Sequence, residues 1–174
     1  MATTKWALDP SHSELHFKVR HLMISNVTGS FAVISANVES TDEKFSNAKI
    51  SFVADPKTIS TNNDQRDGHL KTADFFEAEK YPEIKFESDT YNAESGKVTG
   101  TLSMRGIAKP VTLDVEFHGT NKDPWGNEKA GFSLHGKLNR KDWGITYNAA
   151  LETGGVLISD DVKIDAEVQF VKAA

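Results

Sequence analysis

The chain has 174 residues, a usual length for one domain and enough to bury a sizeable hydrophobic core. Hydrophobic residues make up 38% and charged residues 26% of it, which is typical of globular rather than disordered proteins. The formal net charge of −5, without any run of basic residues, argues against nucleic acid as a partner. The absence of cysteine excludes disulfides, thiolate catalysis and cysteine-based zinc sites.

The first residues, MATTKWALDPSHSELHF, lack the basic start, the apolar centre and the small-residue cleavage site of a signal peptide. No window approaches the roughly 18 apolar residues of a membrane helix, so we expect no transmembrane segment. As it stands the sequence predicts a cytoplasmic protein, or a periplasmic or secreted one if a signal peptide was removed. Because there is neither a repeat nor a linker, we expect residues 1–174 to form a single domain.

Apolar and polar residues alternate with period two along most of the chain, which indicates strands with one wet and one apolar face. Parallel sheets covered by helices would show continuous apolar runs instead, so the pattern predicts about eight antiparallel strands. The apolar positions are, in chain order, Leu15, Phe17 and Val19; the stretch 27–39; Ile50 and Phe52; Ile84 and Phe86; Val98, Leu102 and Met104; Val111, Leu113, Val115 and Phe117; Phe132, Leu134 and Leu138; and Val162, Ile164, Val168 and Phe170.

The segment from residue 62 to residue 81 interrupts this alternation. Its composition predicts one or two short helices between the third and fourth predicted strands, with Asp64 or Thr72 as a cap and Pro82 as the stop.

Eight amphipathic antiparallel strands either pack as two sheets over a dry core or close into one barrel, and closure removes exposed sheet edges. An eight-stranded barrel is just wide enough to be filled by side chains or to hold one small ligand. The alternation alone leaves both interiors open, because inward residues such as Phe17 and Phe86 suit an ordinary core as well as a cavity wall.

Several short motifs occur in a fixed order from Trp6 to about Val168, and together they closely resemble the YceI-like family of polyisoprenoid-binding proteins. No single motif is specific, but the ordered set is. The motifs lie at residues 6–13 (WALDPSHS), 17–22 (FKVRHL), 29–31 (GSF), 59–61 (IST), 66–70 (RDGHL), 74–76 (DFF), 81–86 (YPEIKF), 100–106 (GTLSMRG), 109–111 (KPV), 139–144 (NRKDWG) and 159–162 (SDDV).

The resemblance implies an all-β, eight-stranded antiparallel, lipocalin-like barrel around a long hydrophobic tunnel. It further implies non-catalytic binding, storage or transport of a long-chain isoprenoid, such as an isoprenoid quinone or a prenyl phosphate, or of a similar amphiphilic lipid. We expect no cofactor other than this bound lipid. The resemblance also allows a homodimer.

The inward strand positions and the insert supply the candidate ligand-binding residues. Phe75 and Phe76 are placed either to cover one end of the barrel over the ligand or merely to fasten the insert, and Trp143 to pack at or line the mouth. The candidates are Phe17, Val19, Phe31, Phe52, Phe75, Phe76, Ile84, Phe86, Leu102, Met104, Leu113, Val115, Phe132, Leu134 and Trp143.

Arg66, Asp67 and His69 form the most suggestive polar group. The planar fork of an arginine suits a phosphate, and a histidine can donate a hydrogen bond, so Arg66 and His69 are candidate headgroup contacts. The structural alternative is an ion pair between Arg66 and Asp67, with Asp67 capping a helix.

Catalytic and metal-binding patterns are weak. There is no G-x-S-x-G, H-E-x-x-H, phosphate-binding glycine loop or dinucleotide fingerprint. On a predicted strand, His12 and His16 would lie roughly 13 Å apart, too far to share a metal. Ser11 and His12 would face opposite ways there, which disfavours a nucleophile and base pair.

We therefore expect a lipid-binding protein that is not an enzyme and holds no metal. The alternatives are an enzyme acting on an isoprenoid or lipid substrate, with Arg66 and His69 as its polar pair, and a stress-related structural module with a solid core.

Overall fold

Strands dominate the computed structural model, which describes residues 3–22, 24–46, 48–148 and 157–173, apart from the side chains of Ile34 and Asp89. One α-helix, α1 (Asp64–Leu70), and two 3₁₀ helices, Pro10–His12 and Arg140–Trp143, accompany them. The strands are β1 (Thr4–Leu8), β2 (Glu14–His21), β3 (Ser25–Ser40), β4 (Lys49–Ser60), β5 (Ile84–Asn92), β6 (Lys97–Met104), β7 (Ile107–Lys122), β8 (Glu128–Asn139) and β9 (Ile158–Lys172).

The strands form one antiparallel sheet that closes on itself. From β2 the order runs through β9, β8, β7, β6, β5 and β4 to β3, which pairs back with β2. β1 and β2 share one position, because both lie between β3 and β9: Trp6 is opposite Val38 near one end, and Phe17 is opposite Gly29 further along. This arrangement confirms the predicted eight-stranded antiparallel barrel.

The break between β1 and β2 has a local cause. Pro10 lacks a backbone N–H, and Asp9 caps the 3₁₀ turn by accepting a hydrogen bond from the Ser11 backbone N–H at 3.2 Å. Lys129 Nζ lies 2.5 Å from Asp9 Oδ2 and holds the pKa of Asp9 well below its ordinary value. The expectation that His12 lies on a strand is therefore wrong, because the proline and the aspartate make a turn there.

The burial pattern of β7 confirms the predicted alternation. In β7 the half-buried Val111, Leu113 and Val115 alternate with exposed Thr112 and Asp114. Since successive side chains of a strand point to opposite faces, the apolar set faces the barrel interior.

The insert between β4 and β5, residues 61–83, contains one short helix followed by turns. Asn63, rather than Asp64 or Thr72, caps the helix, because its side chain accepts a hydrogen bond from the Arg66 backbone N–H at 2.9 Å. Arg105 ties the insert to the barrel, since its guanidinium donates to the carbonyls of Ala73 and Gly144.

The two ends of the barrel differ. We call floor the end at which the connection from β3 to β4 lies. Phe45 lies there, 2% exposed, with its ring centroid 5.4 Å from that of Trp6 and 5.2 Å from that of Phe132. We call mouth the opposite end, which carries the β2–β3 hairpin, α1, the β6–β7 turn and the second 3₁₀ helix. Among the described residues, no helix is long and apolar enough to cross a bilayer.

Candidate ligand-binding site

A cavity of about 390 Å³ lies inside the barrel and is lined by side chains of β2 to β9 and of the insert. A volume of this size is ordinary for a ligand pocket. At the floor its lining residues Phe45, Ala48 and Val98 are buried, whereas Arg66 and Tyr147 at the mouth are exposed. The cavity is therefore closed at the floor and reached from the mouth.

The structure places the predicted apolar residues around this cavity, with one exception. Trp143 is 2% exposed, lies outside the lining and donates its indole N–H to the Leu102 carbonyl at 2.9 Å. It thus packs within the apolar cluster at the mouth end without facing the cavity. The predicted residues that line the cavity are Phe17, Val19, Phe31, Phe52, Phe75, Phe76, Ile84, Phe86, Leu102, Met104, Leu113, Val115, Phe132 and Leu134.

Glycines in the wall leave room for large neighbours. A Cβ atom on Gly29 would overlap the ring of Phe17, and one on Gly136 would overlap the side chain of Leu113. Because nothing projects from the glycine, each neighbouring side chain can lie against the wall and not across the interior. These close approaches keep the centre of the barrel open.

Sequence reasoning missed the residues that close the floor. Phe45 lies in a loop, where no alternation marks it as inward-facing, and its backbone φ of 61° is uncommon for a residue with a side chain. Ala36, Ala48 and Ala166 also line the cavity, but alanine carries little periodic signal. Tyr91 lines the same end, and burial raises the pKa of its phenol.

Apart from Tyr91 at the floor, the polar side chains that line the cavity lie near the mouth. No carboxylate is found among the described lining residues, although the whole chain carries a net charge of −5. A negative group at the mouth would therefore face basic side chains. The polar lining residues of this end are Arg20, His21, Thr61, Arg66, His69, Arg140 and Tyr147.

Arg66 and His69, the predicted headgroup contacts, both line the mouth. Arg66 donates from Nε to Thr61 Oγ1 at 2.7 Å and from Nη2 to the Thr61 carbonyl at 2.8 Å. Asp67 accepts from the backbone and side chain of Thr61, at 2.9 and 2.6 Å, and forms no ion pair with Arg66. Thr61 thus orients the guanidinium, whose Nη1 forms no hydrogen bond within the described part of the chain.

The imidazole of His69 is held on two sides. Its Nε2 lies 2.8 Å from Asp74 Oδ2, and its ring packs edge-on against Phe75 and Tyr147 at centroid distances of 5.1 and 4.9 Å. The polar contact thus stands directly beside the aromatic wall of the cavity.

Arg140 has a structural task. It is 5% exposed and donates to the carbonyls of Ser159 at 2.9 Å and Ile145 at 2.7 Å. Burial lowers the pKa of this guanidinium, while Asp160, at 3.9 Å, favours its charged form. Its hydrogen bonds hold the segment after β8 and the start of β9 together at the rim of the mouth.

Two serine–histidine contacts lie outside the cavity. Ser11 Oγ is 3.1 Å from His12 Nδ1, but that same nitrogen also contacts Asp9, so the ring is not placed between nucleophile and acid as in a catalytic triad. On the outer face, Ser133 Oγ lies 2.6 Å from His118 Nε2 and donates to Glu167 at 2.6 Å. No group of three or more potential ligands that could hold a metal occurs in residues 3–22, 24–46, 48–148 and 157–173.

Comparison with known proteins agrees with this architecture. Residues 6–170 match the model of the YceI-like domain. The chain belongs to the YceI-like family. A UPF0312 protein of Staphylococcus aureus (strain bovine RF122 / ET3-1) is 42% identical over 168 residues, which cover 96% of this YceI-like chain and 97% of the relative.

Solved structures resemble this YceI-like protein along most of its length. The Campylobacter jejuni YceI protein superposes with a TM-score of 0.72 at 35% identity, covering 89% of this chain and 90% of that one. Burkholderia cenocepacia BcnA gives 0.78 at 20% identity, covering 93% and 98%. A polyisoprenoid binding domain from Saccharophagus degradans gives 0.68 at 17% identity, covering 97% and 98%. The last two show likeness of fold.

We expect Gly136→Ala to narrow the cavity, because the new methyl group displaces Leu113 towards the interior. Crowding of this kind should lower the free energy of unfolding by about 1–3 kcal/mol. It should also weaken the binding of an apolar fluorescent probe. Denaturant unfolding and probe titration measure the two effects.

Gly131→Ala is the matched control, because Gly131 lies on the same strand and a Cβ there would meet nothing closer than His118 Cβ at 3.8 Å. This variant should keep the stability and probe affinity of the parent protein. Equal losses in the two variants would contradict the role assigned to Gly136.

Proposed function

We propose that this YceI-like protein binds a long-chain isoprenoid or a similar amphiphilic lipid and stores or carries it without chemical change. The single observation that carries the proposal is the apolar cavity, closed by Phe45 at the floor and bordered by basic side chains at the mouth. Membership of the family, and the description of the Saccharophagus degradans neighbour as a polyisoprenoid binding domain, support the same ligand class.

The energetics favour an apolar chain in this position. Burial of each CH₂ group contributes about 0.8 kcal/mol, so about ten such groups contribute roughly 8 kcal/mol before the chain is ordered. A polar molecule would lose its hydration in the cavity and find few partners, because all the polar lining residues except Tyr91 lie near the mouth. The apolar chain of the lipid therefore enters the cavity first, and its polar head remains at the mouth.

The length of the barrel limits how much of a long chain it can hold. A ten-residue strand is roughly 33 Å long, and a tilt of about 40° reduces its height to roughly 25 Å. Because Phe45 blocks the floor, a longer polyprenyl chain must bend inside or protrude from the mouth. The floor thus sets the length of chain that fits.

Two features support binding over catalysis. The guanidinium of Arg140 is engaged by backbone carbonyls, and that of Arg66 is oriented by Thr61. Acid–base chemistry at the mouth would fall to His69, but Asp74 already engages its Nε2 at 2.8 Å, and the lining offers no carboxylate among the described residues.

We expect Phe45→Leu to shift the preference of the barrel towards longer chains, because the smaller side chain opens the floor. A series of polyprenyl phosphates of increasing length, titrated into the protein, measures the shift. Affinity for the longest members should rise relative to the shortest ones.

Phe117→Leu is the matched control for this prediction. Phe117 packs against Phe45 with ring centroids 5.2 Å apart, yet it does not line the cavity. It should lose comparable packing but keep the original length preference. A uniform fall in affinity for every chain length in Phe45→Leu would show that Phe45 does not set the floor.

We expect Arg66→Gln to weaken binding of a polyprenyl phosphate by about tenfold or more, since a charge-assisted hydrogen bond contributes about 1.5–3 kcal/mol. The uncharged polyprenol of the same length should bind with nearly unchanged affinity. Isothermal titration calorimetry with both ligands separates the effect of the Arg66 charge on the phosphate from the effect of losing its hydrogen bonds to Thr61. If both affinities fall equally, Arg66 has only the structural role.

A further inference from the structure

The tip of the β2–β3 hairpin exposes aliphatic side chains where tight turns favour glycine or small polar residues. Leu22 is 39% and Ile24 is 78% exposed, and the sequence places Met23 between them. Leu22 has a φ of 54°, a region that glycine adopts far more readily than leucine. Exposed leucine and isoleucine add nothing to folding that a polar turn would not supply, so the apolar tip points to a function.

The hairpin tip lies on the rim of the mouth. The Ile24 N–H donates to the His21 carbonyl at 3.2 Å, and the Leu22 N–H donates to the Leu157 carbonyl at 2.9 Å. Both His21 and Leu157 line the cavity. The exposed apolar surface is therefore continuous with the wall along which a lipid chain would enter.

We propose that the tip of the β2–β3 hairpin is a membrane-docking element, which inserts Leu22 and Ile24 among the lipids of a bilayer and presents the mouth of the barrel to them. This inference rests on the proposed lipid-binding function, because docking on a bilayer would serve to load and release the lipid. A chain that passes from bilayer to cavity through such a contact avoids exposing its whole length to water.

The chemistry of the rim fits a lipid surface. Tyr147, 38% exposed at the same end, has an aromatic ring with a polar tip, the type of side chain that is enriched at membrane interfaces. The nearby carboxylates of Asp160 and Asp161 lie 3.4 and 3.6 Å from Lys141 and Lys137. Each lysine offsets the carboxylate beside it, so this side of the rim repels anionic lipids less than unpaired carboxylates would.

Two aliphatic side chains give a weak and reversible attachment, weaker than that of a single acyl anchor. Reversibility suits a carrier that docks, exchanges its lipid and leaves. Because apolar insertion supplies the attachment, salt should weaken it little, whereas a purely electrostatic contact would be lost at high ionic strength.

The test is co-sedimentation of the full chain with vesicles of phosphatidylcholine and phosphatidylglycerol. We expect the double variant Leu22→Ser/Ile24→Ser to partition about tenfold or more weakly than the parent protein. Trp125→Ser is the matched control, because Trp125 is 83% exposed in the β7–β8 turn at the floor end. Trp125→Ser should partition as the parent protein does. High salt should leave the vesicle binding of the parent protein and of Trp125→Ser in place.

Equal partitioning of the double variant and the parent protein would overturn the proposal, as would loss of binding in Trp125→Ser alone. The docking proposal would also fail if the parent protein did not sediment with vesicles. If the double substitution then converted a dimer to a monomer, the hairpin tip would bind a second copy of the chain instead of a bilayer. Titration with polyprenyl phosphate in dilute detergent tests the lipid-binding function separately. There, the double variant should bind as the parent protein does, and absence of binding in both would refute that function without deciding the docking.

Discussion

The interior of an eight-stranded barrel is either filled by its own side chains or holds a ligand. Which of the two occurs here determines what the walls, the floor and the mouth can do. Here the wall residues are large, yet a cavity of about 390 Å³ remains. The reason lies in close approaches such as those of Phe17 to Gly29 and Leu113 to Gly136, which let bulky side chains lie along the wall. An apolar interior that stays open in water is stabilised by an apolar guest.

The two ends of the barrel differ in their chemistry. At the floor, Phe45 packs with Trp6 and Phe132 and seals the interior by contacts between rings. At the mouth, the insert and the segments beside β9 are held by hydrogen bonds from Arg105 and Arg140 to backbone carbonyls. One end is thus dry and closed, and the other carries basic groups, which is the arrangement that an amphiphile with one polar end requires.

The alternation of the sequence is sufficient for the strands and their buried faces, because period two fixes which face of each strand is buried. Closure into a barrel instead of two packed sheets follows from the resemblance to the YceI-like family. The alternation also identified most of the cavity lining, since inward positions are the same whether the interior is solid or open. It could not find Phe45, which reaches the interior from a loop, nor the 3₁₀ turn at Pro10, where a capping aspartate overrides the strand pattern. Of the two positions that the sequence allows for Trp143, the structure shows packing at the mouth end and not lining of the cavity, and the sequence alone does not reveal the bond of its indole N–H to the Leu102 carbonyl.

We propose that the cavity holds a long amphiphilic lipid. Mass spectrometry of the protein purified without detergent, under native conditions and again after extraction with organic solvent, tests it most directly. We expect a native mass that exceeds the chain mass by that of a long-chain amphiphile, and the same amphiphile in the extract. The emptied barrel should then bind an added prenyl lipid again. A native mass equal to that of the chain alone, together with no binding of added prenyl phosphate or prenol, would contradict it.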